Sequence, residues 1–150
     1  MEKKLLESIK LPQGVKNLDK QQLEQLCFEL REEILDKVSV TGGHLASNLG
    51  AVELTVALHY VFDSPREPIV WDVGHQCYSH KLLTGRDITG IRTEGGVSGF
   101  PKPCESEHDA FVAGQALRFP LPSALRRQKS CVAIIPPLLR SSATAQPPAE

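Results

Sequence analysis

The sequence predicts an α/β fold in which helices pack around a partial parallel sheet. Three segments indicate this class: an amphipathic helical pattern over residues 20–38, a mostly apolar helical pattern over residues 49–62, and the β-branched and aromatic segment IVWDV at residues 69–73. Helices that alternate with short buried strands are typical of parallel sheets. Ligands of such sheets usually bind beyond the carboxyl ends of the strands. We therefore expect functional residues just after residue 73.

The first predicted helix begins after Asp19. Asp19 and Gln22 have the spacing of a capping box, in which each residue hydrogen-bonds the backbone of the other. Apolar side chains then recur at helical spacing, at Leu23, Leu26, Cys27, Leu30, Ile34 and Val38. We expect this face to pack on the core while the charged side chains face solvent.

The second predicted helix ends at Phe62, and Ser47 or Asn48 is expected to be its N-cap. Its surface is so apolar that we expect burial on most sides. A histidine in such a helix could be a ligand, but one satisfied by its neighbours in the core is the favoured interpretation. The polar interruptions of the apolar surface are Glu53, Thr55 and His59.

The segment after the predicted strand contains a short helix and a long loop. Gly74 ends the strand, and the residues HQCYSHKLLTGR predict a helix that closes near Gly85. Residues 90–109 then contain four glycines and two prolines and have little periodicity. Long irregular segments inside a compact domain are often functional or mobile.

Composition excludes several classes of function. The net charge is −1 and apolar residues make up 41% of the 150 residues, so we expect a globular protein that binds neither nucleic acid nor membrane. No apolar run approaches the length of a membrane span, and the N-terminus lacks a secretory signal. The four cysteines form no C-x-x-C pair and are expected to be free thiols of a reducing compartment. The expected location is the cytoplasm.

The composition changes near residue 112. Residues 1–111 contain 12 Lys and Arg against 17 Asp and Glu, whereas residues 112–150 contain 5 against 1. The second segment also has 6 of the 11 prolines and lacks sustained periodicity, and CVAII is its one candidate strand. We expect a folded region at residues 1–111 and a poorly folded or disordered tail at residues 112–150.

Two histidines are candidates for chemistry. His44 follows two glycines, whose backbone can approach a ligand closely, and His75 follows the predicted strand and a glycine. An imidazole can donate a hydrogen bond to a phosphate oxygen or transfer a proton near neutral pH. Both positions suit an anionic substrate or cofactor. From these patterns alone, a functional and a purely structural interpretation stay open for each histidine.

Other kinds of site fit the sequence less well. The spacing His75-x4-His80 matches no recognised zinc motif. The segment TGGHLASNLG has neither a P-loop nor a dinucleotide-binding order of glycines, and no G-x-S-x-G pattern surrounds Ser47 or Ser98. The segment ESEHD groups carboxylates with His108, for which a solvated loop is the favoured interpretation.

Three segments resemble one enzyme family. TGGHLASNLGAVELTVALHYVF, WDVGHQCYSHKLLTGR and GGVSGFPKPCESEHDAF are similar, in this order, to the N-terminal domain of the 1-deoxy-D-xylulose-5-phosphate synthases. These enzymes belong to the transketolase superfamily and depend on thiamine diphosphate. The similarity extends from about residue 5 to residue 111. It implies that residues 1–111 are the N-terminal part of a thiamine diphosphate-binding domain.

The resemblance also implies an activity and roles for individual residues. The family condenses pyruvate with D-glyceraldehyde 3-phosphate, releases carbon dioxide and forms 1-deoxy-D-xylulose 5-phosphate, a precursor of isoprenoids, thiamine and pyridoxal. The intact enzymes are homodimers and use thiamine diphosphate with Mg²⁺. By position in the motifs, His44 is the expected catalytic histidine and His75 contacts the cofactor. His80 has a supporting role in the cofactor site.

The sequence departs from the family pattern after residue 111. Gly114 aligns with a cofactor-contacting G-H-[SA] motif, but Gln115 stands in place of its histidine. The family's magnesium-binding G-D-G is missing, and residues 117–150 contain no Asp or Asn, so we expect no metal ligands in this chain. These departures suggest a frameshift or truncation and a chain that is inactive alone. A non-catalytic binding or decoy fragment and a phosphate-binding regulatory domain are the alternatives. We also expect an uncovered apolar helix at residues 49–62 and a tendency to aggregate.

Overall fold

The computed structural model describes residues 4–110 and 133–135. The described part is mostly helical. Its elements are α1 (Leu5–Ser8), a 3-10 helix (Gln13–Asn17), α2 (Lys20–Thr41), α3 (Leu45–Leu49), α4 (Val52–Val61), β1 (Ile69–Trp71), α5 (Tyr78–Leu83) and β2 (Ala133–Ile135).

Helix α2 has the start that the sequence predicts. Asp19 Oδ1 accepts a hydrogen bond from the Gln22 backbone N–H at 2.9 Å, and Gln22 Oε1 accepts one from the Asp19 N–H at 3.0 Å. The capping box is therefore confirmed. The helix continues three residues beyond the predicted end and stops at Gly42, whose φ of 72° suits a residue without a side chain. Its buried apolar residues are Leu26, Leu30, Ile34 and Val38.

The prediction of one helix from residue 49 with Ser47 or Asn48 as its N-cap is wrong. Both residues lie inside the short helix α3, and α4 begins after Ala51 without a side-chain cap. The physical reason is tertiary, because the Asn48 amide bonds backbone groups of two other loops instead of the start of α4. Helix α4 is also buried on one side only, since Leu54, Tyr60 and Val61 are exposed.

The two strands lie next to each other and run in parallel. Strand β1 is fully buried, and its register pairs Ile69 with Ala133 and Trp71 with Ile135. Strand β2 falls within the candidate strand CVAII. A pair of three residues each does not confirm the partial parallel sheet of a cofactor-binding domain, which stays a prediction. Apart from β2, the predicted disorder of residues 112–150 lies outside the described residues.

The core lies between α2, α4, β1 and α5. It contains aliphatic side chains from each of these elements together with Trp71 and Tyr78. Cys27, Cys77 and Cys104 are free thiols, as predicted, whereas Cys131 lies outside the described residues. Among the helices of residues 4–110, none has both the length and the hydropathy needed to cross a membrane.

Candidate functional site

His44 lies in the turn that joins α2 to α3. Gly42 and Gly43 have φ values of 72° and 154°, and His44 then occupies the N-cap position of α3 with an exposed side chain. A Cβ atom at Gly43 would come within 2.9 Å of the Tyr78 hydroxyl. The second glycine of the TGGH segment thus allows a close approach between this turn and α5.

His75 lies in the turn that follows β1. Val73 and Gly74 both have positive φ values, of 61° and 85°. A left-handed conformation is costly for a β-branched residue, and such strain is often found at functional sites. Gly74 also packs so closely on the ring of Pro101 that a Cβ atom would overlap it. The turn is therefore held in one shape, with the His75 side chain partly buried after it.

The structure brings the two candidate histidines together. The ring centroids of His44 and His75 are 5.3 Å apart and their planes meet at 67°. The centroid of the Phe100 ring lies 6.0 Å from that of His44, and these two rings also meet edge-on. Burial lowers the pKa of His75, and the nearby His44 lowers it further. A neutral His75 imidazole beside an exposed His44 can accept one hydrogen bond and donate another.

Asn48 contacts the backbone of both histidines and is completely buried. Its Nδ2 donates to the carbonyl oxygens of His44 and His75 at 2.7 and 2.8 Å, and its Oδ1 accepts from the Tyr78 backbone N–H at 2.8 Å. Sequence reasoning treated Asn48 as a helix cap and missed this role. The contacts span 27 and 30 residues, so no local pattern could have shown them.

His80 is completely buried, away from solvent. Its Nδ1 lies 2.9 Å from His59 Nε2, and its Nε2 lies 3.3 Å from Asp109 Oδ1. The interpretation of His59 as a histidine satisfied in the core is confirmed. The cofactor contact expected for His80 stays a prediction, because the contacts it makes here are with His59 and Asp109.

The interpretation of ESEHD as a solvated loop is wrong for Asp109, which is buried, whereas Glu105 is partly exposed and Glu107 is exposed. Asp109 is 3% exposed and accepts hydrogen bonds from both terminal nitrogens of Arg86, at 2.7 and 2.9 Å, and from the Lys102 backbone N–H at 2.7 Å. Burial acts to raise the pKa of Asp109, but contacts with His80 and Arg86 outweigh it and hold the pKa well below its ordinary value. Asp109 is thus a buried anion with specific partners.

Glu105 forms a second link between this segment and α5. Its Oε2 lies 2.8 Å from the ammonium of Lys81, a residue with no exposed surface, and its Oε1 accepts from the Ser98 N–H at 2.9 Å. Burial opposes ionisation, but Lys81 and Ser98 lower the pKa of Glu105 overall. These two links attach residues 98–109 to Lys81 of α5 and to Arg86, which follows the helix. Phe100 and Pro101 are thereby held beside the two histidine turns.

A metal site is not part of this arrangement. Within the residues that the structure describes, no three His, Cys, Asp or Glu side chains are grouped so that they could hold a metal ion. Gly114, the remaining residue predicted to contact the cofactor, lies outside the described residues.

Comparison with known proteins identifies the family. Residues 6–118 match the family model described as 1-deoxy-D-xylulose-5-phosphate synthase. The chain belongs to this family, as its motifs predict. It is 58% identical over 114 residues to the 1-deoxy-D-xylulose-5-phosphate synthase of Neisseria meningitidis serogroup C (strain 053442), covering 75% of this chain and 18% of the relative.

Two further relatives carry the same name. That of Porphyromonas gingivalis (strain ATCC BAA-308 / W83) is 59% identical over 114 residues, and that of Dechloromonas aromatica (strain RCB) is 56% identical over 115 residues. Both matches cover 75% of this chain, and 18% and 19% of the respective relative. The chain thus spans less than a fifth of the length of these curated relatives.

Proposed function

We propose that residues 6–118 supply the His44 and His75 part of a synthase site. The reaction is the condensation of pyruvate with D-glyceraldehyde 3-phosphate to 1-deoxy-D-xylulose 5-phosphate, with loss of carbon dioxide. The observation that carries the proposal is the contact between the two imidazoles, 5.3 Å apart, which come from separate turns and meet beside Phe100. Family membership supports the choice of reaction.

The described residues fit one side of a thiamine diphosphate site. Two imidazoles, one exposed and one partly buried, offer hydrogen-bonding nitrogens beside an apolar ring. When bound, thiamine diphosphate supplies the electron sink for decarboxylation of a 2-oxo acid. Mg²⁺ prefers oxygen ligands, and the described residues contain no group of three or more His, Cys, Asp or Glu side chains that could hold it.

The two histidines have different roles in this proposal. His44, the more exposed of the two, moves a proton at the reacting centre. His75 holds the cofactor through a neutral imidazole, because burial and the neighbouring His44 keep the pKa of His75 below its ordinary value. His80 has a supporting role, through its buried contacts with His59 and Asp109. By its place in the family motif, Gly114 also contributes to cofactor binding in this proposal.

We further propose that this chain does not turn over substrates alone. Gln115 stands where the family has a histidine, and no G-D-G follows it in the 150 residues. The intact enzyme would be a cytoplasmic homodimer whose product is a precursor of isoprenoids and thiamine. Release of carbon dioxide from pyruvate by the purified chain, with thiamine diphosphate, Mg²⁺ and glyceraldehyde 3-phosphate present, would contradict the proposed inactivity.

The binding role is tested by calorimetry with thiamine diphosphate, with and without Mg²⁺. We expect saturable binding by the chain and a loss of about tenfold in affinity for His75→Asn, because one hydrogen bond to the cofactor is worth about 1 kcal/mol or somewhat more. His108→Asn is the matched control, since His108 contacts Ser64 instead of the His44–His75 pair. No binding by the unaltered chain would overturn a cofactor site in it.

A second candidate is a non-catalytic fragment that docks on an intact synthase. The observation that favours it is an apolar groove between α2 and α4, lined by Phe28, Val56, Ala57, Tyr60 and Val61 with charged residues at its rim. Co-sedimentation with the intact Neisseria meningitidis synthase is the test. Saturable inorganic diphosphate binding without metal would favour the phosphate-binding regulatory alternative instead.

A further inference from the structure

Asn48 joins the two turns that carry the candidate histidines. Its two amide hydrogens are both used, one on the carbonyl oxygen of His44 at 2.7 Å and one on that of His75 at 2.8 Å. Its own carbonyl oxygen accepts from the Tyr78 N–H at 2.8 Å. This buried side chain therefore links the turn between α2 and α3, the turn after β1 and the start of α5.

The two turns depend on this link. Of the backbone hydrogen bonds in the described part of the chain, none joins residues 42–44 to residues 73–75. Both turns are built from positive-φ residues, Gly42 and Gly43 on one side and Val73 and Gly74 on the other. Such turns fix local direction but do not fix the distance between the turns. Asn48 is the side chain whose hydrogen bonds join the two turns directly.

No other side chain can make the same three bonds from this position. Asp has the right length but offers no hydrogen to either carbonyl oxygen, and its charge would face two acceptors. Ala leaves the His75 carbonyl oxygen and the Tyr78 N–H without their Asn48 partner in a place where Asn48 has no exposed surface, whereas the His44 carbonyl oxygen keeps the backbone bond from residue 48 at 3.3 Å. Gln carries the same amide one methylene further from the backbone. The closely packed neighbours of residue 48 would have to move to make room for it.

We propose that Asn48 is a positioning residue, which holds the His44 and His75 turns at one separation so that both imidazoles face the same ligand. The inference rests on the proposed function for the identity of that ligand, thiamine diphosphate. The holding itself is a property of the chain without the ligand. It can therefore be tested separately.

The first measurement needs no substitution. In NMR spectra of the full chain, the side-chain amide hydrogens of Asn48 should exchange at least about a hundredfold more slowly than those of exposed Gln21. The reason is that both amide hydrogens of Asn48 are hydrogen-bonded inside the protein. Exchange of the Asn48 amide as fast as that of Gln21 would overturn the proposal. This result does not depend on whether any variant folds.

The second measurement follows the His44–His75 contact in variants. Asn48→Ala and Asn48→Asp should lose the cross-peak between the two imidazole rings, and the pKa of His75 should rise toward its ordinary value as the turn opens to solvent. Urea unfolding identifies which variants remain folded. Ser47→Ala is the matched control, because its hydroxyl makes only a long contact of 3.4 Å with the His44 carbonyl. A folded Asn48→Ala or Asn48→Asp variant with an unchanged cross-peak and an unchanged His75 pKa would overturn the proposal.

Calorimetry with thiamine diphosphate separates this proposal from the proposed function. If the unaltered chain binds, folded Asn48 variants should bind about tenfold or more weakly although both histidines are present, and equal affinity would contradict the positioning role. If the unaltered chain does not bind while the Asn48 amide stays protected and the variants lose the ring contact, only the assignment of the ligand falls.

Discussion

Both terminal nitrogens of Arg86 donate hydrogen bonds to the carboxylate of Asp109, at 2.7 and 2.9 Å, although the two residues are 23 positions apart in the sequence. Both side chains are largely removed from solvent. The same carboxylate faces His80, which in turn faces His59. The family motifs HKLLTGR and ESEHD therefore form one buried polar network. This network holds residues 98–109, which include Phe100, beside α5.

Loss of the Asp109 charge should destabilise the protein strongly. Asp109→Asn removes the carboxylate that both terminal nitrogens of the largely buried Arg86 guanidinium contact, and leaves Glu105, 3.9 Å away, as its remaining counter-charge. The expected cost is about 3 kcal/mol, the lower end of the range for breaking a buried ion pair. Glu107→Gln is the matched control, because Glu107 is exposed and lies in the same segment. The free energies of unfolding come from urea titrations at pH 7. Equal stability of the two variants would show that the bidentate contact does not form.

Acid should weaken the fold through the core histidines before the carboxylates titrate. Burial, then His80, holds the pKa of His59 well below its ordinary value, so the unfolded chain binds a proton at a higher pH than the folded chain does. Stability is then lost as the pH falls below about 6.5, the ordinary value for histidine. The measurement is the urea midpoint at pH 7.5 and at pH 5.5.

A variant assigns this pH dependence to its source. His59→Gln should reduce the fall in midpoint between the two pH values, because it removes the buried imidazole whose pKa is lowered. A midpoint that is equal at both pH values in the unaltered chain would contradict a neutral buried His59. A separate loss below about pH 4 is expected from Asp109, whose lowered pKa favours the folded state only while the unfolded carboxyl is ionised.

Gly74 should be far less tolerant of substitution than another glycine of similar conformation. A Cβ atom at Gly74 overlaps the Pro101 ring, whereas one at Gly85 meets nothing within 4 Å, although the φ values of 85° and 78° are nearly equal. Gly85→Ala should cost about 1–2 kcal/mol, the penalty of a left-handed conformation. Gly74→Ala should cost more, because Pro101 has to move as well. Urea unfolding measures both, and equal costs would rule out the Gly74–Pro101 contact.

The parts of the structure that follow from local sequence were predictable, and those that depend on distant contacts were not. The Asp19–Gln22 capping box and the apolar face of α2 could be predicted because their partners lie within a few residues of one another. The carboxylates of Asp109, which is buried, and Glu105, which is partly buried, look like loop residues in the sequence, since their partners, Arg86 and Lys81, lie more than 20 residues away. Charged residues are rarely buried without such partners, so the local sequence predicts solvent-exposed positions for these carboxylates.

The candidate site shows the same division. The two glycines before His44 predicted a close backbone approach to a ligand, which stays a prediction. The structure shows Gly43 close to Tyr78 and Gly74 close to Pro101, and it places the two histidines next to each other. The sequence contained no signal for Asn48, because an asparagine before an apolar helical pattern is also what a helix cap looks like. The competing tertiary hydrogen bonds decided its position.

The apolar groove between α2 and α4 should bind hydrophobic dyes and favour association of the chain, in line with the expected aggregation. Phe28 and Val61, at its edge, are 61% and 64% exposed. Phe28→Lys with Val61→Lys should lower anilinonaphthalene sulfonate fluorescence and shift sedimentation toward monomer, because a charge in the groove opposes burial of its surface. Val40→Lys is the matched control, since Val40 is 85% exposed but does not line the groove. If the control lowers dye binding as much as the double variant does, general charge and not this groove governs association.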